Sequence, residues 1–225
     1  MIPTIKYQEI LTTLSGDEDY WIRQEQPLRV TMCGLLFARP QTELAEREVF
    51  RDRNYFDRVL GPRFHLFTAG CFPRFMPHEG YLDARAIEAD PDWYYSDRAF
   101  DRLRREIEAE TSWRYNGGVE LLLFNAFRNQ QTGSVSLDYH SAIAIDLQKC
   151  RQYRPAETVA ALIGRIAYYC DHYDSDDPTW GFSDQVASQT GWTALWNFFV
   201  GLLPESLRND ANLARLFVTQ DLSKK

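Results

Sequence analysis

Long apolar runs are missing from this 225-residue sequence. A helix that crosses a bilayer needs roughly 20 consecutive apolar residues. The most apolar helical stretch, Trp192 to Leu203, contains Asn197 and stops at Pro204. The first residues, Met1 to Lys6, also lack the apolar core of a secretion signal. We therefore expect a cytoplasmic protein that has no membrane partner.

Cysteine is scarce and never closely paired. The four cysteines, at positions 33, 71, 150 and 170, form no Cys-x-x-Cys motif, and thiols in a cytosolic protein are normally reduced. We expect four unpaired thiols. Cys33 lies in an apolar strand and Cys170 on the apolar side of a helix, so both should be buried as small hydrophobic residues.

The chain has no excess of positive charge. It carries 25 Lys and Arg residues against 32 Asp and Glu residues, which gives a formal net charge of -7. Affinity for a phosphate backbone comes mainly from cationic side chains, so general nucleic-acid binding is not expected. Hydrophobic residues make up 44% of the chain, enough for a packed core.

A metal-binding loop is also absent. The acidic segment 171–177 suggests a cation site, but a calcium loop of the EF-hand type needs Gly at its sixth position and Glu at its twelfth. Counted from Asp174, those positions hold Thr179 and Gln185. The sequence therefore predicts no metal and no cofactor.

Apolar segments occur in an order that predicts an α/β domain. The run Leu28 to Phe37 is nearly continuously apolar, as in a strand covered on both faces, and we expect it to be central. A second buried strand, Phe64 to Thr68, follows a helix, which makes the two strands parallel neighbours. Ser96 is a candidate N-cap for the next helix. Strands Val119 to Phe127 and Ser134 to Ile145 form an antiparallel hairpin.

These segments predict a three-layer fold around a mixed sheet of about four strands, in the order strand, helix, strand, helix, strand, strand, helix. We expect a helix and lead-in in residues 1–27, the α/β core in residues 28–170, and a helical extension packed on the core in residues 171–225. The stretch Phe72 to Tyr95 has no sustained period and is expected to be a loop held by its aromatic residues.

The order of elements from Leu28 to Cys170 resembles that of the thioredoxin-like fold. The redox members carry Cys-x-x-Cys just after the first strand, where this chain has Phe37-Ala38-Arg39-Pro40. Their proline before the hairpin is replaced by the passage Arg114 to Gly118. The resemblance therefore implies a topology without thiol-disulfide chemistry. A minimal mixed nucleotide-type α/β sheet is the competing architecture.

A second resemblance is shorter. The passage Asn54 to Arg58, continued through Phe64 to Gly70, is similar to small α/β proteins from bacterial defence operons. It implies a place in a bacterial defence or stress system.

One candidate site follows from the topology. Ligands of open α/β sheets favour the crevice beyond the carboxyl ends of parallel strands, which gathers Arg39, Cys71 and Arg74. Arg39 near a helix N-terminus suits a small, nucleotide-like anion, although no glycine-rich phosphate loop is present. Cys71 as a nucleophile needs a base, for which His65, His78 and His140 are the candidates.

Two functions remain open. The first, which we favour, is a non-redox binding or regulatory module that contacts another protein or a second copy through an apolar surface that includes Trp192 and Trp196. The alternative is a small-ligand sensor or hydrolase that uses the crevice near Arg39 and Cys71.

Overall fold

The computed structural model describes residues 1–16, 22–23, 26–27, 30–60, 64–75, 80–129, 131–153, 158–172, 218–220 and 222–224. The elements are β1 (Ile2–Thr4), α1 (Tyr7–Gly16), β2 (Ile22–Arg23), β3 (Gln26–Pro27), β4 (Val30–Phe37), α2 (Glu43–Ala45), a π-helix (Glu46–Phe50), α3 (Arg53–Val59), β5 (Phe64–Ala69), β6 (Cys71–Pro73), β7 (Arg85–Ile87), β8 (Asp90–Tyr95), α4 (Asp97–Glu110), β9 (Glu120–Arg128), β10 (Val135–Asp146), α5 (Leu147–Tyr153), α6 (Val159–His172) and β11 (Val218–Gln220).

The main sheet is mixed, and its strands lie in the order β1-β5-β4-β9-β10-β11. β4 is an interior strand that pairs in parallel with β5 and antiparallel with β9. The predicted central strand, its parallel neighbour and the β9–β10 hairpin are therefore confirmed. The physical reason is burial, because a strand covered on both faces is apolar along its length.

The sheet is wider than predicted. It has six strands rather than about four, because β1 pairs in parallel with β5 and β11 pairs antiparallel with β10. Each of these outer strands has three residues, too few to show an alternating pattern. Both come from segments predicted to flank the core. Trp192 and Trp196 of the expected helical extension lie outside the described residues.

Close packing within the main sheet depends on Gly34 in β4. A Cβ at this position would lie 2.9 Å from the Phe64 ring and about 3 Å from methyl groups of Leu66 and Leu121. Side chains from both neighbouring strands therefore fill the space above Gly34. Cys33, the preceding residue, is buried and unpaired as predicted. The prediction for the Cys170 side chain lies outside what the structure describes.

Helices α1 and α4 contact the sheet on one side. Phe37 of β4 meets Phe100 of α4 edge to face, with ring centroids 5.5 Å apart. The Tyr139 hydroxyl of β10 donates a hydrogen bond to the Tyr7 hydroxyl of α1 at 2.8 Å. α3 and α6 pack together where the hydroxyl of Tyr55 approaches Gly164.

The charged run Arg51 to Asn54 predicts that the helical stretch between β4 and β5 splits there, with Asn54 as the cap of the second part. The stretch does divide, at Arg51 and Asp52, but the predicted cap is wrong. Asp52 occupies the N-cap position of α3, and Asn54 is already inside the helix.

A second sheet replaces the loop that was expected over residues 72–95. β6, β8 and β7 form an antiparallel sheet in that order, which we call the small sheet. Its strands have three to six residues and contain Pro73 and Pro91. The alternation of polar and apolar residues that is typical of a strand is therefore not visible in the sequence. The expected aromatic contacts are present, because Phe72 packs on Tyr81 and Tyr94 with centroids about 6 Å away.

Candidate functional site

The carboxyl ends of β4 and β5 lie at one edge of the main sheet, because the two strands are parallel. β9 begins and β10 ends at this edge, where Phe37 pairs with Glu120 and Glu120 pairs with Asp146. Arg39 follows β4 by two residues. The predicted crevice is therefore the place where four strand ends and the start of α4 bring polar side chains together.

Arg39 is held by α4. Its guanidinium pairs with the carboxylates of Asp97 and Asp101, the second at 3.0 Å, and lies 4.5 Å from the centroid of the Phe100 ring. Burial lowers the pKa of Arg39, but nearby Tyr95 and the two carboxylates outweigh that effect and raise it. Two negative charges thus face the one positive charge of Arg39.

A second arginine joins the same carboxylate. Arg85 of β7 donates to Asp97 at 2.8 Å, and its guanidinium lies 5.5 Å from the Tyr95 ring centroid. The Tyr95 hydroxyl donates to the other oxygen of Asp97 at 3.1 Å. Burial raises the pKa of Tyr95 despite the opposing charge of Arg39, so the phenol stays protonated. We call Arg39, Arg85, Tyr95, Asp97 and Asp101 the edge cluster.

The start of α4 is fixed by two side chains that flank the strands of the small sheet. Ser96 is the N-cap, as predicted, and its hydroxyl accepts from the Ala99 amide at 3.1 Å. Asp83 accepts from the Ser96 hydroxyl at 2.9 Å and from the Arg98 amide at 3.0 Å. Burial raises the pKa of Asp83, but these hydrogen bonds outweigh it and lower the pKa. A carboxylate at a helix N-terminus also complements the helix dipole.

Glu120 forms a second polar group at this edge. It is buried, and its carboxylate accepts from the Trp113 indole at 2.9 Å and the Asn116 amide at 2.8 Å. The Asn116 side chain donates to Asp146 at 2.7 Å. Burial raises the pKa of Glu120 more than the two hydrogen bonds lower it, and Asp146 adds to the rise. Both oxygens of Glu120 accept from the loop before β9, and those of Asp146 accept from Asn116 and Lys149. We therefore assign these two carboxylates a structural role.

Cys71, a predicted site residue, is fully buried at the start of β6. Burial raises the pKa of its thiol, and Asp90 raises it further. A nucleophilic cysteine needs the opposite shift, since the thiolate is the reactive form. Among the described residues no hydrogen bond joins Cys71 to a histidine, while His78 lies outside them. The environment is that of a structural cysteine.

Arg74, the third predicted residue, is exposed beyond the end of β6. Its backbone amide donates to the Asp92 carbonyl at 2.9 Å. Cys71 pairs with Tyr95, which belongs to the edge cluster. Arg74 lies three residues further along the chain, just beyond the end of β6. At ~3.3 Å per residue, this carries Arg74 about 10 Å from Cys71. Arg85, and not Arg74, is the second arginine that binds Asp97 together with Arg39.

The sequence reasoning missed Arg85, Asp97 and Asp101. The acidic and basic residues of α4 have the pattern of a solvated helix face, and β7 is too short to show a period. One signal was available. Asp97 directly follows the predicted N-cap Ser96, which places it in the first turn of the predicted helix.

A groove adjoins the edge cluster. It has a volume of about 200 Å³ and runs along β7 and the turn after it, Arg85 to Ala89, with Pro40, Gln41 and Glu46 opposite. Glu46 is half-exposed and Glu88 is exposed. The groove therefore places one carboxylate on each wall.

Two large apolar side chains project from the segment between β6 and β7. Phe75 is 86% exposed and Leu82 is 91% exposed. In the part of the chain that the structure describes, no group of three His, Cys, Asp or Glu residues is arranged to hold a metal ion. Nor does a helix of that part have the length and apolar character needed to span a membrane.

Comparisons with protein-family models, with curated proteins and with solved structures find no match to this chain.

Proposed function

We propose that this chain is a protein-binding module that contacts a partner through the small sheet and the turns beside it. The exposure of Phe75 and Leu82 carries the proposal. Four large hydrophobic side chains are exposed among the described residues, and these two are the most exposed of them. Apolar surface left in water costs roughly 25 cal/mol per Å², which contact with a partner recovers.

The position of Leu82 is fixed on both sides. Tyr81 packs on Phe72, with ring centroids 5.9 Å apart, and Asp83 is hydrogen-bonded to Ser96 and Arg98 at the start of α4. A backbone held between two anchored neighbours loses little further conformational freedom on binding. Preorganisation of this kind favours recognition, because less ordering entropy opposes association.

The alternative, a small-ligand sensor or hydrolase near Arg39 and Cys71, has less support. Arg39 already faces two carboxylates, so an incoming anion has to displace Asp97 or Asp101. The Cys71 thiol is buried and its raised pKa keeps it protonated. Neither residue has the free charge that this chemistry requires.

We also propose that the α/β core has the thioredoxin-like topology. The strands β5-β4-β9-β10 lie side by side, the first two parallel and the last two antiparallel, which supports that element order. Proteins of one topology serve many functions, so this adds nothing to the choice of partner. The place in bacterial defence and the Trp192 and Trp196 surface stay predictions.

Site-specific photo-crosslinking tests the proposed contact. A benzophenone amino acid replaces Phe75 or Leu82, one at a time, in the full chain inside the cells that produce it. We expect one discrete adduct shared by the two positions, because both flank the small sheet. Arg47, exposed on the π-helix, serves as the control position and should give none. Absence of an adduct, or the same products at Arg47, contradicts the proposal.

Native mass spectrometry separates the alternative function. The purified chain should retain no small molecule and release none on denaturation. A retained mass of nucleotide size that an Arg39→Ala variant no longer holds favours the ligand sensor instead.

A further inference from the structure

We propose that the outer edge of β7 docks an extended, basic segment of a partner protein, which adds a fourth strand to the small sheet. The proposal rests on the protein-binding function above and names the chemistry of the partner. It combines three features of the described residues: an open strand edge, a groove beside it, and carboxylates on both walls of that groove.

β7 is the terminal strand in the order β6-β8-β7. It pairs with β8 on one side, and no strand of the described residues pairs with its other side. Consecutive residues of a strand direct their backbone N–H and C=O groups to alternate sides. A three-residue edge strand therefore turns the groups of at least one residue away from β8. Such groups form a template for strand addition by an extended peptide.

The groove leaves room for that peptide. Pro40, Gln41 and Glu46 line the side opposite β7, and the groove has a volume of about 200 Å³. The Gln41 side chain contacts the Arg85 guanidinium, so the groove is open along the rest of β7. Ala86, the middle residue of β7, is exposed and carries only a methyl group. An incoming backbone thus meets no bulky side chain at the centre of the edge. Ile87 points into the core and is 2% exposed.

The charges of the groove select a basic occupant. Glu88 has no ion-pair partner among the described residues, and Glu46 has a long, exposed contact of 3.5 Å with Arg51. Arg85 lines the groove as well, but its guanidinium is directed to Asp97 at 2.8 Å. Glu88 therefore contributes an unpaired negative charge on the β7 side, and Glu46 contributes a weakly paired one on the opposite side. The net charge of -7 for the whole chain attracts the same class of partner.

Selection from a display library of random heptapeptides against the full chain tests this inference. We expect enriched peptides with Lys or Arg at alternate positions, since alternate side chains of a strand face the same side. Synthetic copies should bind a Glu46→Gln, Glu88→Gln double variant at least about tenfold more weakly, a loss of roughly 1.4 kcal/mol. A Glu43→Gln, Glu110→Gln variant has the same change of net charge outside the groove and should bind as the wild type does.

Backbone pairing has its own readout. Two methylated forms of a selected peptide are compared, one with N-methyl groups on the odd-numbered amides and one with them on the even-numbered amides. One form should lose binding, because its methyl groups block the amides that pair with β7, and the other should still bind. Hydrogen exchange of the amides in β7 should slow when the peptide is bound. A library that yields no peptide, peptides without basic enrichment, equal binding by both charge variants, or binding of both methylated forms overturns the proposal.

The outcomes also separate this inference from the function on which it rests. Adducts at Phe75 and Leu82 without any selected peptide leave the protein-binding function standing and remove the β7 edge as its site. Failure of both experiments removes both. The chain could also form a dimer in solution that the Glu46→Gln, Glu88→Gln variant disrupts. That result would show that the β7 edge binds a second copy of the chain, and it would overturn the inference of a basic partner.

Discussion

Arg39 and Asp97, 58 positions apart in the chain, form an ion pair that ties the carboxyl end of β4 to the first turn of α4. Asp97 also accepts from Arg85 and Tyr95, so a single carboxylate joins the main sheet, the small sheet and the helix. The surface proposed for binding is thereby fixed to the core.

Replacement of Arg39 by Ala should lower the free energy of unfolding by about 1–2 kcal/mol, because Asp97 and Asp101 lose a shared cation and Phe100 loses its cover. The side chains are about one third exposed, which keeps the loss below that of a fully buried pair. Urea unfolding measures it. Arg47→Ala removes an exposed pair with Glu43 and should change stability by less than about 0.5 kcal/mol. Equal effects of the two variants would show that the edge cluster has no structural role.

Gly70 should be the least replaceable glycine at the sheet edge. Its φ is +75°, and a Cβ there would lie 2.7 Å from the Phe100 Cβ and 3.0 Å from that residue's backbone. Its amide and carbonyl also bond to Thr4 and Ser96 at 2.9 and 3.0 Å. We expect Gly70→Ala to cost about 3 kcal/mol, by the sum of left-handed strain and overpacking.

Gly117 supplies the matched control for that prediction. Its φ is +97°, but a Cβ there meets no atom within 4 Å. Gly117→Ala should therefore cost only the strain of about 1–2 kcal/mol. Thermal or urea unfolding of both variants measures the difference, and equal losses would contradict the close contact between Gly70 and α4.

The sequence predicted those elements that bury a long apolar run. β4, β5 and β9 were found because burial on both faces leaves each strand with few polar residues. The first half of β10 instead alternates polar and apolar residues, which is typical of a strand with one face in solvent. β1, β7 and β11 have three residues each and show no period, so the sheet edges and the small sheet were missed. Short strands acquire their pairing from tertiary contacts, which local propensity does not encode.

The candidate site was predictable to a similar extent. Topology placed Arg39 at the carboxyl end of a strand, but its partners Asp97 and Asp101 belong to a helix face with the pattern of a solvated surface. An ion pair between residues far apart in the chain produces no repeating pattern in the sequence around either of them. Cys71 was placed near the correct edge, yet its burial follows from the small sheet, which the sequence did not predict.

Glu120 should make stability depend on pH. Its pKa is raised in the folded state, mainly by burial, so folding favours the protonated form. Its contribution to stability therefore falls as the pH rises from the carboxyl's ordinary value of about 4.5 through the folded-state pKa. The free energy of unfolding of the wild type, minus that of a Glu120→Gln variant, should decrease over this window. A difference that stays constant from pH 4 to pH 8, or that matches the exposed Glu43→Gln control, contradicts the shift.

Thiol labelling tests the environment of Cys71 and the alternative function together. Cys33 and Cys71 are at most 1% exposed, and burial raises the pKa of Cys33 to about 12 and raises that of Cys71 as well. N-ethylmaleimide at pH 8 should modify both in the native protein at least about 100-fold more slowly than in urea, because reaction waits for opening of the core. Peptide mapping reports each site, and the partly buried Cys150 provides an internal comparison. Rapid labelling of Cys71 alone would mean that its thiol is accessible and ionised, which is the state a nucleophile in the crevice needs.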